Sequence, residues 1–410
     1  MNFLFPVSVY SLKEVYFLTF VRTLLAFGYT MANMFIPLYL LEKHQLSVGI
    51  VGTISSLSML FGLVGWLFAG TLIKRFNEKF LITRSLFLRS MNYLTIGVLI
   101  LIHAPYYFFF PFLFLNHFLL GITISPMESL ILTSSEEEKR HIAVSIHRVG
   151  MNIGWSLGPL VGGFFVETHY ALPFFGTFLI VLICAFLILW GLPEPKQVKH
   201  EITYNFINLF RNRKFLFFSL NSLNLFIMMS LLITPLAMYL TNHFQISKVD
   251  LGKLYFLNGV MVVILQIPIS VKIKNLPLAS QLGLFLYFVG FSLVGGYSPD
   301  WGFPFLILCI VIVTLGELLG VSPVYAIASI YAKEKNHQEN ITNFYASSFM
   351  GFMRSLGWSI GPLIAGWIQE FFSSSPLTIW LLSSSFALMG MIINQILFFY
   401  YPLRFKHTDS

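Results

Sequence analysis

The side chains best placed to do chemistry in this sequence are ionisable groups set inside long apolar runs: Arg22, Glu128 and Glu317, joined by His117. A charge inside a hydrocarbon layer is costly, so such groups usually face a partner or a water-filled cavity and mark a functional path. Glu317 stands near the middle of its run with no base at its depth in the sequence. It serves either as a proton carrier that alternates between charged and neutral states or as a neutral, hydrogen-bonded glutamate in the packing. Arg22 lies roughly 12 Å into its run at about 1.5 Å per residue, and Glu128 at a similar depth, so the two are expected to form a structural or gating ion pair. Arg89 and Arg148 are rival bases. His117 is either a proton-coupling group, because histidine titrates near neutral pH, or a packed neutral ring. Asn33, Tyr29, Asn221 and Asn224 offer polar contacts to a cavity or hydrogen bonds between helices. This chemistry moves protons and holds ions.

The elements that position these groups are membrane spans. The chain has 410 residues, of which 57% are hydrophobic and only 10% charged, too much apolar surface for a soluble core of this size. Continuous apolar runs of about 20 residues, each able to cross the hydrocarbon layer, predict an all-α polytopic membrane protein rather than a β-barrel. The spans are expected near 14–40, 48–72, 80–102, 106–133, 142–166 and 172–192, then 215–241, 249–271, 277–297, 303–331, 342–372 and 376–402. That is a six-helix bundle over 1–192, a linker over 193–214 and a second six-helix bundle over 215–410. Within the linker, Ile202, Phe206, Leu209 and Phe210 beside Arg211, Arg213 and Lys214 predict a short interfacial helix.

The formal charge of +8 is explained by placement, since the bases cluster in alternate loops. That asymmetry puts both termini in the cytoplasm and argues against nucleic-acid binding. Cys184 and Cys309 fall within apolar spans of different halves, so they are expected to be buried thiols. The sequon Asn340 to Thr342 falls in a loop assigned to the cytoplasm and is taken as coincidence.

The stretch from Gly154 to Gly163 reads GWSLGPLVGG, and that from Gly357 to Gly366 reads GWSIGPLIAG. Gly154, Gly158, Gly162 and Gly163 give a smooth stripe on which another helix can pack closely, and Pro159 can bend the helix. Gly357, Gly361, Pro362, Ala365 and Gly366 repeat the arrangement. Two copies at matching places in two hydrophobic halves indicate duplication, the architecture of secondary transporters. They read as packing hinges rather than as a binding site.

On these residues the chain resembles the major facilitator superfamily over nearly its whole length. The Gly154-x-x-x-Gly158-Pro159-x-x-Gly162-Gly163 stretch is similar to the fifth-helix pattern of its drug:proton antiporters, with Ser145 where that pattern has another glycine. Arg22 before Phe35-Ile36-Pro37-Leu38-Tyr39-Leu40 is similar to the first helix of that branch, and His117 stands four residues before Gly121 where the family has an arginine. Gly70, Leu72, Arg75 and Lys79 match the family's loop between helices 2 and 3, whereas Lys74 replaces an acid and Glu78 a base. A pairing of Lys74 with Glu334 or Glu339 is the expected compensation. The resemblance implies the twelve-helix major facilitator fold and a central cavity lined by helices 1, 4, 7 and 10, which carry Arg22, Glu128 and Glu317.

The expected function is therefore secondary active transport of a small amphipathic molecule by alternating access, coupled to protons as efflux, in the plasma membrane and as a monomer. A proton-coupled importer or a uniporter of a metabolite is the alternative. A polytopic membrane enzyme is a remote reading, because Glu42, His44, His169, His243, Asp250 and Asp300 are scattered and form no metal-spaced cluster. No cofactor or metal is called for.

Overall fold

A computed structural model describes residues 13–73, 75–133, 140–193, 212–333 and 339–403. The expected linker helix, Lys74 and Glu334 lie outside the described residues, as does the side chain of Glu339, so the proposed loop pairing does too.

Twelve span-length elements follow in order: α1 (Lys13–His44), α2 (Val48–Leu72), α3 (Glu78–Leu101), α4 (Phe109–Thr133), α5 (Arg140–Thr168), α6 (Leu172–Gly191), α7 (Arg213–Phe244), α8 (Lys248–Lys272), α9 (Leu276–Gly295), α10 (Gly302–Lys333), α11 (Glu339–Phe371) and α12 (Pro376–Tyr400). No strand occurs among the described residues. Ten of these are long and apolar enough to cross a membrane. The exceptions are α3, whose otherwise apolar sequence carries Arg84, Arg89 and Asn92, and α11, which carries Arg354, Gln369 and Glu370. The fold is thus all-α and polytopic, and large apolar side chains face outward, Val271 at 80% exposure and Trp190 at 77% among them. Large apolar side chains exposed in such number suit lipid rather than water.

Local chemistry explains the boundaries, and it recurs in both halves. Asn77, Asn212 and Asn275 cap α3, α7 and α9 by accepting the backbone N–H three residues on, each worth about 0.5–2 kcal/mol. In α1 the helix stops at Asn33 and resumes at Ile36, just before Pro37; in α7 it stops at Leu231 and resumes at Thr234, just before Pro235. Proline has no N–H to give to the preceding turn, which accounts for both breaks. Gln45 and Gln245 then take left-handed conformations that end these helices, and Ser47 and Ser247 cap the next ones through Ile50 N and Asp250 N.

The chain divides into two compact units. One takes Met1–Leu46, Leu57–Lys199 and Leu240–Val263; the other takes Ser47–Ser56, His200–Tyr239 and Ile264–Ser410. Each unit therefore includes a stretch from the other half of the sequence: the first unit holds the end of α7 and the start of α8, and the second holds the start of α2.

Within the first unit, α5 is pressed against α1. A Cβ at Gly154 would lie 2.8 Å from Ala26 Cβ, one at Gly158 would reach the Thr30 hydroxyl, and one at Gly162 would lie 2.6 Å from the Phe35 ring. Gly163 faces α8 instead, at the Lys248 carbonyl, and Gly252 of α8 sits on the Pro159 carbonyl. The second unit repeats this plan. Gly357 and Gly361 of α11 pack on Phe226 and Ser230 of α7, while Gly366 and the Pro362 carbonyl meet Gly52 of α2.

Candidate functional site

The first unit contains a column of polar groups along α1, buried at Arg22 and half-buried at Tyr29 and Asn33. Arg22, Tyr29 and Asn33 follow at intervals of seven and four residues, which places them on one face of the helix. The column spans about 16 Å at 1.5 Å per residue.

At one end, Asn33 Nδ2 donates to Tyr93 Oη at 2.7 Å, and Arg89 Nη2 donates to the same oxygen at 3.2 Å. Arg89 Nε donates to Asn116 Oδ1 at 3.3 Å, and its guanidinium lies 5.7 Å from the Tyr93 ring centre. Arg89 is 1% exposed. A buried charge survives only where its donors are used, and α3 and α4 are spliced here through that requirement.

In the middle, Tyr29 Oη lies 3.2 Å from His117 Nε2, and His117 Nδ1 lies 3.0 Å from the Leu113 carbonyl. With Nδ1–H donated to the carbonyl, Nε2 accepts from the tyrosine, the bonding of a neutral ring. A proton added at Nε2 would require the Tyr29 hydroxyl to turn from donor to acceptor. Trp155 of α5 packs on Tyr29 at 5.9 Å between ring centres.

At the other end stand Arg22, Thr19 and His147, all buried. His147 of α5 lies in the coulombic field of Arg22. Sequence reasoning missed His147, because Arg148 beside it drew the attention. Neighbouring residues on a helix point about 100° apart, and it is Arg148 that is exposed, although engaged, and His147 that is buried.

Glu128 departs from expectation. It is half-buried on α4, and among the described residues no hydrogen bond or ion pair joins it to Arg22, Arg89 or Arg148. Arg89 is occupied by Asn116 and Tyr93 instead. Gly70 and Arg75 are exposed, and a Cβ at Gly70 would meet nothing within 4 Å, so no close approach requires that glycine.

In the second unit the asparagines of α7 face α12. Asn221 Nδ2 donates to Asn394 Oδ1 at 2.8 Å and to the Gly390 carbonyl at 3.0 Å, while Asn224 Nδ2 donates to Asn221 Oδ1 at 2.9 Å. Both are buried, and Asn221 ties α7 to α12 while Asn224 supports it from within α7. Glu317 is half-buried and is not isolated, as the sequence suggested; it engages a neighbour and lies in coulombic range of Tyr287. It adjoins Gly316, whose Cβ position lies 2.9 Å from the Gly283 carbonyl where α9 and α10 cross.

The repeated motif proves longer than its glycines. Glu167, beyond Gly163, accepts the Lys248 backbone N–H at 2.9 Å, and Glu370, beyond Gly366, accepts the Gly49 N–H at 2.9 Å. Each carboxylate caps the first turn of a helix, where the positive end of the helix dipole lies. The first unit adds an ion pair of Lys248 with Glu42 at 2.6 Å and a Tyr170 hydroxyl donated to Glu42 at 2.8 Å. Burial, with Glu42 next to it, raises the Tyr170 phenol well above its ordinary range, so it stays a donor at any ordinary pH.

Comparison with known proteins agrees with this architecture. A sequence profile of the Major Facilitator Superfamily matches residues 18–362. The multidrug efflux protein YfmO of Bacillus subtilis (strain 168) is 22% identical over 236 residues, which is 57% of this chain and 57% of that protein. Among solved structures, a mutant of the nucleoside transporter NupG superposes with a TM-score of 0.76 at 12% identity, covering 95% of this chain and 100% of that one. A bacterial homolog of the human lysosomal transporter Spinster gives 0.69 at 16% identity, covering 96% and 97%.

Proposed function

The chain belongs to the major facilitator superfamily, and on that premise we propose that it is a proton-coupled exporter of a small amphipathic molecule. As a multi-pass transporter of this superfamily it moves a solute rather than transforming one. The observation that carries the reading is the polar column of Arg22, Tyr29 and Asn33 with Arg89, Tyr93, His117 and His147, buried except at the half-buried Tyr29 and Asn33. Polar groups on that scale inside membrane helices are costly, and a solute path is the default reason for keeping them.

Efflux is favoured by the Gly154–Gly163 stretch and by the likeness, over 57% of each chain, to a multidrug efflux protein. Proton coupling is assigned to Glu317, with Glu128 and His117 as further exchange points. In this reading the halves 1–192 and 215–410 rock on the α5 and α11 glycine contacts, in the plasma membrane, with both termini cytoplasmic and the chain acting alone.

Import or uniport is the second reading, favoured by the likeness in fold to nucleoside and oligopeptide transporters. The test is flux in vesicles carrying the purified chain under pH gradients of either sign. Export should follow the inward proton gradient, and Glu317→Gln should abolish its pH dependence while the protein remains folded. Flux indifferent to both gradients would leave the uniporter.

A further inference from the structure

The outward face of α3 carries a charge that the fold itself does not need. Phe80, Arg84, Leu88 and Met91 follow at intervals of four, four and three residues, so they share one face of the helix, and all four are exposed. Arg84 stands over the Phe80 ring at 5.4 Å, and among the described residues it has no hydrogen bond or ion pair. Phe80 in turn stacks on Phe76 at 5.2 Å between ring centres. Arg89, five residues on, is buried with its donors used.

The duplication supplies a control for this position. Asn77 caps α3 by accepting the Phe80 N–H, and Asn275 caps α9 by accepting the Leu278 N–H. Four residues further, Arg84 of α3 corresponds to Leu282 of α9, and both are exposed. An apolar residue thus serves the second copy at the same outward place, as contact with lipid requires. An arginine there is costly against hydrocarbon unless its head reaches the interface or an anion.

α6 completes the surface. A Cβ at Gly97, late in α3, would lie 2.8 Å from the Phe175 ring early in α6, while Phe87 meets Phe186 edge-on at 5.2 Å, so the two helices run antiparallel. Phe186 stacks on Trp190 at 4.9 Å, and Trp190 is exposed. Arg84 and Trp190 lie about 4.5 and 6 Å beyond the Phe87–Phe186 contact, toward the same end of the span, at about 1.5 Å per residue. In the other direction Leu88 and Met91 of α3 and Ile183 and Leu179 of α6 are all exposed. A cation and an indole at the mouth of an apolar two-helix strip match a headgroup set above acyl chains.

We propose that Arg84, Phe80 and Trp190 hold the headgroup of an anionic phospholipid, whose chains lie along the outward faces of α3 and α6. A phosphate can take the guanidinium fork in two parallel hydrogen bonds. With no carboxylate on Arg84 among the described residues, the charge is balanced only by a lipid that brings a net negative one. A zwitterionic lipid carries its own cation beside the phosphate, and that cation repels the guanidinium. The inference concerns the multi-pass chain in its bilayer and is independent of what it transports.

The test uses the purified full chain in detergent, stripped of lipid, with phosphatidylglycerol and phosphatidylcholine of identical acyl chains as probes. Bound lipids are counted by native mass spectrometry, and the melting temperature is followed alongside. Phosphatidylglycerol should be retained several-fold more than phosphatidylcholine and should raise the melting temperature. Arg84→Leu, which matches the residue type of Leu282, should remove the preference, and Arg84→Lys, which keeps the charge and loses the fork, should retain part of it. Arg213→Leu, which removes an equal charge at another exposed site, should leave the preference unchanged.

Equal retention of the two lipids, an undiminished preference in folded Arg84→Leu, or the same loss in Arg213→Leu would each overturn the proposal. Displacement of phosphatidylglycerol by an equal concentration of inorganic phosphate would overturn it too, since the site would then read a free anion rather than a lipid.

Discussion

At the scale of single residues, Tyr93 carries more than its share. Its hydroxyl accepts from both Asn33 and Arg89, so Tyr93→Phe removes the acceptor for the half-buried Asn33 amide and the buried Arg89 guanidinium while leaving the ring in place. A loss of about 1–3 kcal/mol in unfolding free energy is expected, measured by chemical denaturation in detergent, whereas Tyr16→Phe, with no such role, should be silent. A change below the error at Tyr93 would mean that Arg89 is held by Asn116 alone. None of this was visible beforehand. Arg89 read as a spare base for Glu128, because sequence gives depth along a helix and not the direction a side chain takes. Arg22 and the polar face of α1 were legible, since an arginine in an apolar run stands out whatever its orientation. The capping role of Glu167 was not, because a carboxylate at the end of a span looks like an ordinary solvated charge.

At the scale of elements, the two glycine stripes are equivalent in sequence but not in tolerance. A Cβ at Gly361 would collide first with the Ser230 side chain, whereas one at Gly158 would meet both the Thr30 hydroxyl and the Phe27 carbonyl at 2.5 Å. A side chain can be trimmed and a backbone cannot. Gly361→Ala and Gly158→Ala should both slow transport, with overpacking costs of about 1–3 kcal/mol. Adding Ser230→Ala should restore most of the rate to Gly361→Ala, and adding Thr30→Ala should do little for Gly158→Ala. Equal rescue in vesicle flux would show that the α1–α5 contact yields more readily than its backbone geometry implies. The repeat announced these contacts in the sequence because glycine spacing survives as a pattern. It did not announce the second duplication, in which Tyr39, Gln45, Ser47 and Gly52 recur as Tyr239, Gln245, Ser247 and Gly252, since those residues are spread over a break and a turn.

At the scale of the whole molecule, the twelve-helix plan was legible from apolar runs alone, as bilayer thickness sets their length. The composition of each compact unit was not, because it depends on which helix ends meet. In the first unit Lys248 is held by Glu42 and Glu167; in the second the corresponding helix start is held by Glu370, with Trp367 donating to Thr53 at 3.1 Å. The Glu42–Lys248 pair is partly exposed, so it contributes about 1 kcal/mol or less and weakens with salt.

Cys184 and Cys309 are both wholly buried and free. To a thiol reagent the folded chain is therefore blank. Maleimide should add no mass to the native protein and two equivalents to the denatured one, and a native adduct would mean that one of these sites opens. The practical result is that a single reporter cysteine can be set at exposed Gly70, whose Cβ would meet nothing within 4 Å, in the natural sequence with no residue first removed.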